Sequence, residues 1–304
     1  MSRGSRSRPR PAGRKAPAPP RVQPRPGTPA IESPLEVEVE VERLSSDGEG
    51  VAAWNGRALF VPGALPGETV RVVPAVDGKL QRGTLLGVVR AAPERIVPGC
   101  SLAGLCGGCD WLHLAPAIQR REREVAVRAA LERLGGVDLS AVRWLPTLAA
   151  GDLGTRRRAD LTWTGTALGY LHRRSHDPVP VARCPALVDP LVDLPGRLTP
   201  LLLPLGKRLR AVRLLAEGST VSVALELAGA LTPRAREVGL ALVRAGVRGV
   251  VLVPEEGANE EVGRPTLRSR APLRPEVSLL IRPEAFCQAH AAGTPLLVER
   301  ALDL

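Results

Sequence analysis

From Pro34 to Arg95 the apolar positions recur at every second residue. Leu35, Val37, Val39 and Val41 alternate with Glu36, Glu38, Glu40 and Glu42, the period of a strand with one buried face. A turn follows at Asp47-Gly48-Glu49-Gly50, with strands over 51–54 and 58–61. Pro62-Gly63 and Pro66-Gly67 break the chain before strands near 68–76 and 80–90. Five short strands in about 60 residues predict a small closed barrel of OB-like size. Beyond it the period changes. Residues 114–134 read as an amphipathic helix rich in Arg and Glu, ended by Gly135-Gly136. Runs over 160–164 and 167–172 flank Gly165-Thr166 as a hairpin. Residues 187–282 read as a helix, strands over 211–216 and 220–227, a helix over 233–245, and strands near 250–253 and 277–281. That order predicts an α+β layer with a mostly antiparallel sheet, the acidic stretch 255–262 forming a loop at its tip.

Composition limits what such a chain can be. At about 150 residues per domain, 304 residues predict roughly two domains. An apolar share of 44% with 24% charged residues excludes global disorder, collagen and a disulfide scaffold. No apolar run approaches the ~20 residues of a membrane helix, and the N-terminus lacks the apolar core of a signal peptide. A cytoplasmic protein without a membrane partner is expected. The formal charge of +11 is unevenly placed. Residues 1–30 hold eight basic side chains, from Arg3 to Arg25, and no acid; removing them leaves 34 basic against 31 acidic residues. This Pro-rich stretch, 1–33, is expected to be disordered. A basic arm suits attraction to polyanions, nucleic acid first and anionic membrane second, and is equally compatible with an extension that has no dedicated partner.

Five cysteines, at 100, 106, 109, 184 and 287, are an odd number in a chain without an export signal, which argues against disulfides and for a reducing compartment. Cys100, Cys106 and Cys109 lie within ten residues, with Gly107-Gly108 permitting a tight turn, and Cys184 is the natural remote fourth ligand. Three readings stay open on spacing alone. A structural zinc site more often uses two C-x2-C knuckles. A redox pair at Cys106 and Cys109 would sit in a strand-to-helix turn. An iron–sulfur cluster fits four irregularly spaced thiolates.

The neighbouring residues carry a resemblance. Leu44-Ser45-Ser46-Asp47-Gly48-Glu49-Gly50-Val51, with Leu59-Phe60-Val61-Pro62-Gly63 and Pro66-Gly67-Glu68, resembles a TRAM domain, a small RNA-binding barrel of RNA-modifying enzymes. With Trp54 and Phe60 as its aromatics, the barrel is poorly equipped to bind by base stacking. Val97-Pro98-Gly99-Cys100, then Cys106-Gly107-Gly108-Cys109-Asp110-Trp111-Leu112-His113-Leu114, resembles the RNA uracil-C5 methyltransferases. So do Arg156-Arg157-Arg158-Ala159, Leu168-Gly169-Tyr170, Ser175-His176-Asp177 and Arg183-Cys184-Pro185. The resemblance spans residues 35–304 and implies a [4Fe–4S] cluster on Cys100, Cys106, Cys109 and Cys184. It favours RNA contacts for Arg156 and Arg158, although a solvated charged edge is the plainer reading of any one arginine. In the family an aromatic usually precedes the first arginine and an Asn often separates the pair, where Thr155 and Arg157 stand here. In Phe286-Cys287-Gln288-Ala289-His290, Gln288 matches the family's contact to S-adenosylmethionine, and His290 replaces an Asn. The plainer alternative for Gln288 is a helix-flanking residue.

The expected organisation is a tail over 1–33, the barrel over 34–95, a cysteine segment with its helix over 96–150, and a central RNA-facing α+β domain over 151–285. A linker helix follows over 286–304. No Gly-x-Gly-x-x-Gly turn follows a strand downstream of the cysteines, so the Rossmann-like methyltransferase domain is expected to be absent, and no catalytic residue is assigned. On that expectation these residues are the RNA-binding and cluster-bearing part of such a methyltransferase, truncated before catalysis, which rests with a missing segment or a separate chain carrying the domain. The alternatives are a non-catalytic RNA-binding TRAM/iron–sulfur protein and a zinc-stabilised binding protein.

Overall fold

The structure is a computed structural model that describes residues 35–77 and 80–304. The basic arm expected over 1–33 lies outside them. The alternating N-terminal pattern forms β1 (Val37–Leu44), β2 (Gly50–Trp54), β3 (Arg57–Val61), β4 (Thr69–Asp77) and β5 (Leu80–Arg90). These close into a barrel in the order β1-β2-β3-β5-β4. Closure uses a short parallel pairing of β3 with β5, at Leu59–Gln81 and Phe60–Arg82, while the other ladders are antiparallel. Val39, Val41, Leu59, Val61, Val70 and Val72 fill its interior, and the β1 glutamates face outward, as the two-residue period requires.

One corner of the barrel is held by charge. The Glu68 carboxylate is 0% exposed and accepts from Arg95 Nε at 2.5 Å and from a terminal guanidinium nitrogen at 2.7 Å. It also accepts from the backbone N–H groups of Leu65 (2.8 Å) and Ala92 (3.2 Å). Burial alone would raise the Glu68 pKa, but these donors together hold it below the usual carboxylate value.

α1 (Pro116–Arg133) begins with a proline, whose missing N–H is harmless in the first turn. Contrary to the amphipathic reading, none of its residues is buried. It is attached by Arg123 over the Trp111 ring (4.9 Å), Arg128 over Trp144 (4.3 Å) and an Arg120–Asp152 pair (2.7 Å). Next come β6 (Arg158–Trp163), β7 (Leu168–Leu171) and β8 (Pro178–Pro180), then α2 (Asp189–Val192) and α3 (Leu194–Leu202). They are followed by β9 (Leu209–Glu217), β10 (Thr220–Leu227), α4 (Pro233–Arg244), β11 (Gly249–Pro254) and β12 (Glu260–Gly263). The chain ends with β13 (Leu267–Ala271), β14 (Arg274–Ile281) and α5 (Gly293–Leu302).

A seven-stranded sheet runs β12-β11-β10-β9-β6-β7-β8, with β13 and β14 a separate hairpin. Its core includes Leu161, Leu168, Leu191, Leu198, Leu214, Leu225 and Leu242. The sheet is mostly antiparallel, as expected, but β10 and β11 pair in parallel through α4, a crossover unit of α/β type. The stretch read as an acidic loop ends in β12, and β13 was not foreseen. No helix among the described residues is long and apolar enough to cross a membrane.

The barrel meets the rest of the chain at the Asp47–Gly50 turn. Trp111 Nε1 donates to the Gly48 carbonyl at 3.0 Å. Glu49, buried, accepts from Arg82 through both oxygens (2.9 and 2.8 Å) and from Arg174 (2.8 Å).

Candidate functional site

The cysteine loop is folded by its own backbone. Ala103 N–H donates to the Cys100 carbonyl (3.2 Å), and Cys106 N–H to that of Leu102 (3.0 Å), winding the chain between the first two thiols. Gly107 N–H donates to Leu171 O (3.0 Å) and Cys106 bridges His172, so the loop is pinned to the end of β7. A Cβ on Gly107 would lie 3.0 Å from that carbonyl and 3.1 Å from the Arg173 backbone, which is why glycine stands there. Cys184 follows β8, and its N–H donates to Val192 O at 2.9 Å.

Cys100, Cys106, Cys109 and Cys184 line one cavity of about 60 Å³, together with Tyr170 and Arg156. Burial pushes the Cys106 and Cys109 thiols up, and the neighbouring cysteines add to this. Arg156 pulls Cys109 the other way. Tyr170 lines the same cavity as Cys184, and burial first, then the cysteines, raises its pKa. Thiols so placed stay protonated until a soft cation binds the sulfur and displaces the proton to solvent. Among the described residues no group of three or more His, Cys, Asp or Glu side chains is arranged to hold a single metal ion. Cys287 lies outside the cavity lining.

The other expected residues separate. Arg156 is exposed at the cavity, and its backbone bridges both Leu187 and His290. Arg158 is turned inward, its side chain 11% exposed, donating to the Ala285 carbonyl and to Asp160 (3.2 Å). Arg173 and Arg174 are engaged with Asp110 (3.2 Å), Asp47 and Glu49, so they dock the barrel. Gln288 and His290 line a cleft of about 530 Å³ between α1 and α5, walled by Ile96, Leu112, Leu153 and Leu297. Sequence reasoning missed Tyr170 as a cavity residue, and it missed Arg157, whose side chain reaches the Gln288 carbonyl at 3.1 Å. The arginine in place of the family's usual Asn was the available signal.

Comparison with known proteins is consistent with this arrangement. The TRAM domain family matches residues 35–73. A 23S rRNA (uracil(1939)-C(5))-methyltransferase RlmD of Xylella fastidiosa (strain Temecula1) is 32% identical over 287 residues, 88% of this chain and 63% of that protein. The protein of the same name from Pseudomonas putida is 30% identical over 93% of this chain and 64% of its own length. That from Edwardsiella ictaluri is 34% identical over 56% of this chain and 38% of its own. The chain thus spans between 38% and 64% of the length of these relatives. In fold it is similar to the Pyrococcus abyssi tRNA (uracil-54, C5)-methyltransferase, solved in complex with S-adenosyl-L-homocysteine. The TM-score is 0.66 at 21% identity, covering 88% of this chain and 65% of that one.

These matches overturn the expected fold class in one respect. Between 88% and 93% of the chain aligns with methyltransferases and 88% superposes on one, so the reading that the Rossmann-like domain is not present does not stand. That reading rested on the lack of a Gly-rich fingerprint, a catalytic cysteine and a carboxylate base, and short motifs are weaker testimony than an alignment over most of the chain. The separate partner chain and the purely non-catalytic alternative find no support in these matches. By sequence, the chain carries a TRAM domain and is similar over most of its length to proteins named 23S rRNA (uracil-C5)-methyltransferase RlmD.

Proposed function

We propose that the protein methylates C5 of a uracil in ribosomal or transfer RNA, with S-adenosylmethionine as methyl donor. The observation that carries this is the alignment of 88–93% of the chain with proteins named for that reaction on 23S rRNA. C5 of uracil is a weak nucleophile, so the family chemistry is covalent. A thiolate adds to C6, the enolate takes the methyl group at C5, and loss of the C5 proton expels the thiolate. No cysteine of this chain is assigned that role.

The chain's own residues bind and orient. The barrel and the exposed Arg156 contact RNA. Gln288, lining the large cleft, offers an amide that donates and accepts at once, suited to the zwitterionic end of S-adenosylmethionine. Cys100, Cys106, Cys109 and Cys184 hold a [4Fe–4S] cluster. Its donor set is all thiol, and its cavity is several times the ~15 Å³ that one water requires. The cluster supplies a cross-link between remote segments, since methyl transfer needs no electron. The same reading puts the protein in the cytoplasm.

The test is radiolabelled methyl transfer to transcripts of ribosomal and transfer RNA, with nucleoside mass spectrometry for 5-methyluridine. Label in 5-methyluridine on either RNA is expected. Label only in other nucleosides, or no binding of RNA and S-adenosylmethionine, overturns the proposal.

A further inference from the structure

We infer that Arg157 and Arg213, with Arg158, are positioning residues that set the backbone under Gln288; the inference rests on Gln288 facing S-adenosylmethionine, as proposed above. Residues 282–289 form no helix and no strand. A segment without its own ladder must have its carbonyls satisfied from outside. Three arginines from neighbouring strands do this. Arg213 of β9 donates to Glu284 O (2.9 Å), Arg158 of β6 to Ala285 O, and Arg157, just before β6, to Gln288 O (3.1 Å). The Arg157 backbone N–H adds a bond to Ala289 O at 2.7 Å.

Each guanidinium is fixed from behind. Arg157, 13% exposed, pairs with Glu217 at 2.6 Å and touches Ser269 Oγ at 3.2 Å. Arg158 pairs with Asp160, and Arg213 with Asp160 and Glu226. Charged donors give stronger hydrogen bonds than neutral ones, and the planar fork of arginine fixes direction as well as distance. With the carbonyls of 284, 285 and 288 turned to the sheet, Phe286 is left 84% exposed and Gln288 is presented to the cleft. A lysine or glutamine at 157 could not span Glu217, Ser269 and the Gln288 carbonyl together.

The experiment uses the full-length protein and the variants Arg157→Gln, Arg157→Lys, Arg213→Gln, Glu217→Gln and Gln288→Ala. Deuterium uptake over residues 284–290 is followed by mass spectrometry, affinity for S-adenosylmethionine by calorimetry, and affinity for a uridine-containing RNA by anisotropy. Arg157→Gln and Glu217→Gln are expected to raise uptake at 284–290 tenfold or more. They should weaken S-adenosylmethionine about tenfold and leave RNA affinity within twofold, with partial recovery in Arg157→Lys. Unchanged uptake in every folded variant overturns the inference, as does unaltered S-adenosylmethionine affinity where uptake has risen. Should Arg157→Gln not fold, Glu217→Gln and Arg213→Gln decide. Wild-type S-adenosylmethionine binding by Gln288→Ala would instead refute the role given to Gln288, and uptake alone then judges the arginines.

Discussion

Gly48→Ala is the most demanding test of how the barrel is seated. Gly48 has φ +76°, and a Cβ there would fall 1.9 Å from Trp111 Nε1, far inside any real contact. Two effects add. An alanine held in the left-handed region costs about 1–2 kcal/mol. The indole must also leave its seat, breaking the N–H···O bond to the Gly48 carbonyl, about 1 kcal/mol. The upper bound is loss of the whole buried ring, about 3–5 kcal/mol. A destabilisation of at least ~2 kcal/mol and at most ~7 kcal/mol is expected. Gly56 supplies the control: its φ is +71°, in the Asn55-Gly56 turn between β2 and β3, and nothing lies within 4 Å of the added carbon. Gly56→Ala carries the strain without the clash, about 1–2 kcal/mol. Urea unfolding followed by tryptophan fluorescence measures both. Equal costs for the two substitutions, within ~0.5 kcal/mol, would refute the claim that Trp111 locks the Gly48 turn.

Three further outcomes follow from named groups. Because Glu68 is held below its ordinary pKa of 4.5, its contribution is full above that value and is lost as pH falls through the lowered folded value. Glu68→Gln should cost about 3 kcal/mol at pH 7 and flatten the acid limb of the stability profile, and an unchanged limb counts against it. His113 has its pKa lowered to about 4, first by burial and then by Arg95, so stability should decline as pH drops from 6.5 to 4, by up to ~3 kcal/mol. His113→Asn should remove that slope in calorimetric scans taken across the window, and its persistence would assign it elsewhere. Cys184→Ala should abolish the brown absorbance near ~400 nm of anaerobically purified protein, the thiolate-to-iron signature of a cluster, and a variant as coloured as wild type would exclude Cys184 as a ligand.

Local pattern revealed what local physics decides. The β1 alternation, the Gly165-Thr166 hairpin and the β10-α4-β11 run were legible because side-chain period and turn chemistry are properties of adjacent residues. That Cys184 would join Cys100, Cys106 and Cys109 at one cavity was legible because a remote fourth thiol has few other uses. β12 and β13 were not, being four and five residues long and rich in charge, so that only pairing with distant strands makes them strands. The exposure of α1 was equally hidden, since a sequence gives the apolar positions of a helix but not whether anything covers them. Arg158 read as an RNA contact because its partner, the Ala285 carbonyl, is 127 residues away and belongs to a backbone that carries no sequence signal.

The split between the cysteine loop and Cys184 also has a consequence in time. Translation delivers the first three thiols well before the fourth, since Cys184 lies 75 positions after Cys109. At about 5–20 residues per second, that gap lasts roughly 4–15 s. During it the β7 edge that pins Cys106 and Gly107 is also still being made. The nascent chain therefore passes through a stage in which a folded barrel precedes an open three-thiol loop. On the proposed cluster assignment, that stage, rather than the finished protein, is where oxidation or capture of a stray metal ion would compete with correct assembly.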